Sequence, residues 1–188
     1  MTLDLSGASD GELAALQLSG SDAAASEIMR RHREPIYRLV QNHIGDANEA
    51  LDVTQEAFIA AFTGLRSYDQ TRPFRVWLSR IAINKCRDWA RRRAVRRFFT
   101  FASPIEAAEK VAAEHVPADE MLAAAQELEV VRRSIAALPA ALKEPLILRT
   151  IEGLSEAETA QALGISNKAV ETRLYRAKGL LKQMVYSN

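Results

Sequence analysis

Apolar residues recur along this chain every three to four positions, the period of an α-helix, and no stretch sustains the alternation of a half-buried strand. The pattern therefore predicts an all-α protein. Ser9-Asp10-Gly11-Glu12 reads as a cap ahead of a short helix carrying Leu13, Leu16 and Leu18, which Gly20-Ser21-Asp22 breaks. A longer segment follows with Ile28, Ile36, Leu39, Val40 and Ile44 as its core face. Pro35 should kink that segment or open a new helix as its first residue. The next helix, from about Asn48 to Leu65, has Leu51, Phe58, Phe62 and Leu65 as its buried stripe. Asp52, Gln55, Glu56 and Ile59 lie on another face of it, and on pattern alone that face is ordinary solvated surface.

A polar loop spans Arg66 to Pro73 and contains Tyr68 and Asp69, with Pro73 marking entry to another helix. That helix carries Phe74, Trp77, Leu78, Ile81, Ala82, Lys85 and Trp89 at helical spacing, so both tryptophans fit a core stripe. Its outer face holds Arg75, Arg80, Asn84, Arg87 and Arg91, and it ends in Arg91-Arg92-Arg93. Guanidinium groups this dense point to phosphate contact rather than to solubility alone. Beyond Phe98 the apolar stripe lapses, and Ser103-Pro104 and Val116-Pro117 interrupt an acidic stretch that reads as a flexible tether with a short helix around 105–113. Helical periodicity resumes at Met121 through Leu122, Leu128, Val131 and Ile135 to Leu138. A further helix from about Ala141 to Glu152 turns Leu142, Leu146, Ile147 and Ile151 inward, with Pro145 expected in its first turn.

The stretch Leu154 to Lys178 is the most informative. Ser155 with Glu158 forms a capping box, so a helix begins at Glu156, and Ala157, Ala160 and Leu163 supply its apolar face. Gly164 sits where a left-handed residue ends that helix, and Ser166 caps the next. Two short helices joined by such a turn make a helix-turn-helix, whose second helix enters the DNA major groove. On that second helix Val170, Leu174, Ala177 and Leu181 form an inward stripe. Lys168, Thr172, Tyr175 and Arg176 lie opposite, Glu171 lies at the edge, and Arg173 is placed for a phosphate.

The formal net charge of the 188 residues is only +1, but charge is segregated. Between Arg72 and Arg97 ten basic residues meet one acid, whereas between Ile105 and Glu129 seven acids meet one lysine. Two polyanion-facing modules divided by an acidic connector are implied. The single cysteine, Cys86, excludes an internal disulfide, and His32, His43 and His115 lack metal-ligand spacing, so no metal and no cofactor is expected. There is no signal peptide and no membrane-spanning run, so a cytoplasmic protein without direct membrane insertion is expected. No phosphate-binding glycine loop or catalytic cluster points to an enzyme.

Asp52-Val53-Thr54-Gln55-Glu56-Ala57-Phe58 is similar to the D-x-x-Q-E-x-F run of bacterial sigma factors, and Phe74 to Asn84 is similar to their F-x-x-W-L-x-x-I-A-x-N run. Leu138-Pro139, and Gly164-Ile165-Ser166 through Val170, Arg173, Arg176 and Ala177, resemble the second module of the same proteins. The order and separation of these runs resemble the small extracytoplasmic function (ECF) group of the sigma-70 family. That resemblance implies a sigma domain 2 over 1–97, a linker over 98–120 and a helix-turn-helix sigma domain 4 over 121–188. It implies a chain that is monomeric when free and partners with core RNA polymerase, promoter DNA and an anti-sigma factor. It also implies that Asp52, Gln55, Glu56 and Ile59 bind the β′ clamp of the polymerase. Tyr68, Asp69, Arg72, Arg75, Arg80, Asn84, Arg87 and Arg91 would bind and open the −10 element. Ser166, Lys168, Glu171, Thr172, Arg173, Tyr175 and Arg176 would read the −35 element on the β flap. The rival reading is a helix-turn-helix regulator that acts without binding core polymerase in the sigma manner; it leaves the Asp52-Gln55-Glu56 face unexplained.

Overall fold

The computed structural model describes residues 5–102 and 120–186. Every regular element within them is helical. The first group comprises α1 (Asp10–Leu18), α2 (Asp22–Ile44), α3 (Ala47–Thr63) and α4 (Phe74–Ala102). The second comprises α5 (Glu120–Ala137), α6 (Ala140–Leu146), α7 (Glu156–Leu163) and α8 (Asn167–Tyr186). In the first group α2, α3 and α4 pack on one another and α1 closes against α2; in the second, α8 packs on α5, α6 and α7. None of the helices among the described residues is long and apolar enough to cross a membrane.

Local chemistry sets most helix starts. Ser9 Oγ accepts from Glu12 N, and the Glu12 carboxylate accepts from Ser9 N at 2.7 Å, a complete capping box at α1. Asp46 Oδ1 accepts from the amides of Asn48 and Glu49 at the start of α3. Pro35 neither splits α2 nor begins a helix, because α2 is one element of 23 residues. Packing of Ile28, Ile36, Leu39 and Val40, all buried, outweighs the one backbone hydrogen bond that a proline removes. Pro145 is likewise the sixth residue of α6 rather than part of its first turn. Just beyond it the chain widens into a π-helical turn, Ile147–Ile151.

Three apolar stripes are displaced from the pattern. Leu51 is 43 % exposed, while Ala50, Val53, Ala57, Phe58 and Ala61 fill the inner side of α3. Leu128 is exposed on α5, and Ala157 is exposed on α7, where Thr159, Ala160 and Ala162 are buried instead. Small alanines let α7 approach its neighbours closely, which rotates its buried side away from Ala157. The described part of α4 extends past the expected linker start and carries Phe98 and Phe99, both exposed, to its end at Ala102. The tether expected from Ser103 and the short helix around 105–113 lie outside the described residues.

The two groups of helices pack against each other: α7 lies on α4, while α5 and the turn after α6 meet α2. Their buried apolar residues join in one cluster that includes Leu39, Leu78, Ile83, Ile135, Leu148 and Leu154. At one point the approach is very tight. Gly45 ends α2 in the left-handed region (φ +81°), and a Cβ added there would stand 2.7 Å from Ala136 Cβ of α5.

Candidate functional site

The α3 face brings Asp52, Gln55, Glu56 and Ile59 together at the i, i+3, i+4 and i+7 positions of one helix. Ile59 is 67 % exposed and stands among polar neighbours. Glu56 accepts from Arg92 of α4 at 3.0 and 3.1 Å, so this acid has a fixed position. Beside it lies a groove between α2 and α3 lined by Met29, Tyr37, Leu51, Gln55 and Phe58. An exposed isoleucine next to a groove that mixes these apolar residues with Arg30, Arg33 and Glu34 is a surface suited to a protein partner.

The loop before α4 is held by aromatic packing. Tyr68 meets Phe74 edge-on with centroids 5.0 Å apart and lies 5.3 Å from Trp77, and its hydroxyl donates to Arg72 O at 2.7 Å. Asp69 accepts from the Thr71 amide and hydroxyl, which holds its carboxyl below the usual range. Of the two tryptophans, Trp89 is buried and Trp77 is half-buried on the core, as the apolar stripe predicts. Arg80, Asn84, Arg87 and Arg91 share the outer side of α4, whereas Arg75, in its first turn, lies on the side that holds Ser79. Arg91 pairs with Asp88, and Asn84 accepts from Arg87 at 3.3 Å.

The helix-turn-helix has the geometry its sequence predicts. Ser155 Oγ accepts from Glu158 N, and Glu158 accepts from Ser155 N at 2.7 Å; these bonds hold the Glu158 carboxyl low. Gly164 is left-handed (φ +67°), and Ser166 Oγ accepts from Ala169 N at the start of α8. Val170 and Ala177 are fully buried, with Leu174 and Leu181 packed beside them. Ser166, Lys168, Glu171, Thr172, Tyr175 and Arg176 face solvent, and Arg173 is half-buried. Tyr175 is 83 % exposed, a large aromatic with no intramolecular reason to be there. Lys168 donates to Glu171 at 2.7 Å, pairing the two on the same exposed face.

Contacts between the two groups of helices engage Arg72, Arg75 and Arg87, while Arg80 and Arg91 stay exposed. Arg87 donates through Nε and Nη2 to both oxygens of Glu144 at 2.8 and 2.6 Å, a bidentate pair whose acid is 2 % exposed. Arg75 donates to Glu158 at 3.3 Å and lies 3.5 Å from Gly153 O. Arg72 and Arg80 line a crevice with Trp77, Gln161 and Ala162, and Gln161, with its amide oxygen turned inward, accepts from Arg72 at 3.1 Å. Arg38 of α2 donates to Glu152 at 3.1 and 3.2 Å.

Comparison with known proteins assigns the fold to a family. Residues 28–96 match sigma-70 region 2, and residues 128–181 match sigma-70 region 4. The chain is 35 % identical to the RNA polymerase sigma factor CnrH of Cupriavidus metallidurans, over 94 % of each chain. It belongs to the ECF sigma factors. The ECF RNA polymerase sigma-E factor of Escherichia coli is 29 % identical over 88 % of each chain. Among solved structures, CnrH in complex with the cytosolic domain of CnrY superposes with a TM-score of 0.71 at 30 % identity, covering 95 % of this chain and 98 % of that one. A sigma factor RpoE from Bartonella quintana, in complex with the anti-sigma factor NepR, shares the fold with a TM-score of 0.67 at 18 % identity, over 85 % of this chain and 95 % of that one.

Sequence reasoning missed the acids of this sigma factor that meet the α4 arginines. One signal was available: Glu144 shares a helical face with Ile147 and Leu148, so an acid stands on an inward stripe and needs a buried partner. Glu158, which meets Arg75, carries no such mark, nor does Glu152, which meets Arg38 of α2. Around Glu144 the seam holds a compact polar group. Lys143 Nζ donates to His43 O of α2 and to Ala136 O of α5, both at 2.8 Å, and thereby bridges the ends of two helices from different groups. His43 is 2 % exposed; its Nε2 lies 3.6 Å from Glu144, beyond hydrogen-bond length, and neither ring nitrogen has a bonding partner.

Burial pushes the His43 pKa down, with Lys143 and Arg87 adding to the effect against the pull of Glu144. Burial works to raise the Glu144 carboxyl, but the Arg87 guanidinium outweighs it and leaves the group below its usual range. Burial lifts the Cys86 thiol beside them well above its usual value. An unfolded His43 takes up a proton below about pH 6.5 that the folded form excludes, so stability falls as pH drops through that value. An unfolded Cys86 ionises above about pH 8.5 while the folded thiol stays neutral, so stability also falls on the alkaline side. Thermal unfolding followed by circular dichroism from pH 5 to 9.5 should show a maximum between these limits, and His43→Asn should flatten the acidic side. An acidic limb unchanged by His43→Asn would show that another group controls it.

Proposed function

We propose that this chain directs core RNA polymerase to promoters that it reads with two separate surfaces. The observation that carries this reading is the α3 face, where the exposed Ile59 stands with Asp52, Gln55 and Glu56 at one-turn spacing. That face forms the contact to the β′ clamp. The outward side of α8, from Ser166 and Lys168 through Glu171, Thr172, Arg173, Tyr175 and Arg176, reads the −35 element on the β flap. Tyr68, Asp69 and Arg72 in the loop before α4, with Arg75, Arg80, Asn84, Arg87 and Arg91 on the helix, bind the −10 element and hold its opened strand. Domain 2 spans 1–97 and domain 4 spans 121–188, with the acidic linker between them. No nucleotide hydrolysis is required, because binding free energy offsets the few kcal/mol of unstacking a base.

Control by an anti-sigma factor belongs to this proposal. Its support is the fold shared with CnrH, whose solved structure contains the cytosolic domain of CnrY. The partners are thus core polymerase, promoter DNA and an anti-sigma protein, in the cytoplasm, and the free chain is a monomer.

The test is transcription from genomic fragments by core polymerase supplemented with the purified chain, with transcript starts mapped. Discrete starts that share −35 and −10 motifs are expected, and they should vanish in the Asp52→Ala, Glu56→Ala double variant. A folded chain that binds the same DNA alone but never associates with core polymerase would overturn the proposal.

A further inference from the structure

We propose that the far end of α4 makes a DNA contact of its own: Val95, Phe98 and Phe99, with Arg92 and Arg96 beside them, lie against the promoter duplex on the −35 side of the −10 element. The proposal rests on the −10 assignment made above for the outer side of α4. Its observation is an apolar knob standing in water. Val95 is 55 % exposed, Phe98 72 % and Phe99 66 %, although all three fall within little more than one helical turn. The two phenyl rings meet edge to face with centroids 5.8 Å apart. Such side chains gain by burial, and their exposure shows that the described helices supply none.

Position and charge select the partner. Val95 and Phe98 stand one and two turns beyond Arg91, so they prolong the side of α4 that carries Arg80, Asn84 and Arg87. Arg91, Arg92, Val95 and Arg96 line a shallow depression there. Arg91 pairs with Asp88 and Arg92 with Glu56, but both pairs are exposed and yield to a phosphate at little cost. An apolar knob among guanidinium groups suits a nucleic acid, whose phosphates take the arginines while its sugars and thymine methyls take the rings. A lipid surface fits less well, because three side chains bury too little to hold a protein there.

The same geometry says which DNA is met. Phe98 lies about 10 Å along the helix axis beyond Arg91, the rise of roughly three base pairs. Strand opening belongs to the Tyr68 loop at the other end of α4, so the DNA at this end is still paired. From α4 the chain runs on to the −35 reader, which places these base pairs in the spacer between the two elements. No base edge is required, so the contact adds affinity more than sequence preference.

The test uses holoenzyme assembled from core polymerase and the full chain, titrated onto two fluorescein-labelled fragments of a promoter mapped as above. Neither fragment carries a −35 element. One ends flush with the −10 element, and the other extends half a helical turn further upstream. The extension should tighten binding of the parent by about tenfold, since partial burial of two phenyl rings is worth that much. The Phe98→Ser, Phe99→Ser double variant should lose this gain yet bind the flush fragment and core polymerase as the parent does, with its helices retained by circular dichroism. Arg96→Ala should lower the salt slope on the longer fragment by about one, the loss of one phosphate contact.

A double variant that keeps the full gain, or a slope unchanged by Arg96→Ala, would overturn the proposal. So would weaker binding of the double variant to core polymerase itself, which would seat the knob on the enzyme. Flotation with phosphatidylcholine–phosphatidylglycerol vesicles that the double variant alone loses, with the DNA gain kept, would assign the knob to a lipid surface instead. Failure of the −10 assignment looks different: the parent would then bind the flush fragment no better than one with its −10 bases scrambled.

Discussion

Ile59→Asp is expected to weaken association of this sigma factor with core polymerase by about a hundredfold, the loss typical of an anchor at the centre of an interface. Ile59 projects from α3 one turn beyond Gln55 and Glu56, on the face that also carries Asp52, and it is the apolar member of that set. A partner that covers it must dehydrate whatever stands there, and a carboxylate without a counter-charge resists that strongly. The same exposure makes the substitution mild in the free protein, where it should change stability by no more than about 0.5 kcal/mol. Titration of labelled core polymerase, run alongside thermal unfolding, separates the two effects. Equal losses of affinity and stability would mean that Ile59 supports the fold and is no contact.

Leu78→Ala is expected to cost about 3–4 kcal/mol, from lost transfer free energy and from the cavity left behind. Leu78 is completely buried in α4, the helix that carries both the core stripe and the basic face, and it belongs to the apolar cluster shared by both groups of helices. The unfolding midpoint should fall by roughly 10 °C. Because the cluster is continuous, both groups should unfold in one transition. Two separated transitions, with only the first shifted, would show that the groups are energetically independent. Leu78→Met, which nearly conserves volume, should recover most of the stability.

The helical class and the helix-turn-helix were legible because their determinants are local. Ser155 and Glu158 are three residues apart and satisfy each other's backbone donors, so their spacing alone announces a helix start. Gly164 and Ser166 likewise act on their immediate neighbours. The inward stripe of α8 follows from its period, and Val170 and Ala177 are buried as that period requires. The α3 face was different. Periodicity placed Asp52, Gln55, Glu56 and Ile59 together but could not separate a partner surface from a solvated one; only the motif they share with sigma factors suggested contact.

Where the reading slipped, the cause was a neighbour distant in the chain. Leu51 and Ala157 fit an apolar stripe on their own helices, yet packing placed Val53 and Thr159 inward instead. Pro35 and Pro145 carry a local penalty, but α2 and α6 continue through both because their apolar sides are already committed to the core. The seam is the clearest case. Arg87 and Glu144 stand 57 residues apart, and nothing in the spacing of either predicts the other.

By itself, then, the sequence determined the helices, their caps, the turn at Gly164 and the segregation of basic from acidic segments, since each depends on residues within a turn or two of one another. Only the tertiary structure decided which arginines of α4 are held by the second group of helices and which polar groups are buried at the seam. Those outcomes depend on how two finished surfaces meet, and the desolvation of Glu144 and His43 exists only once they have met.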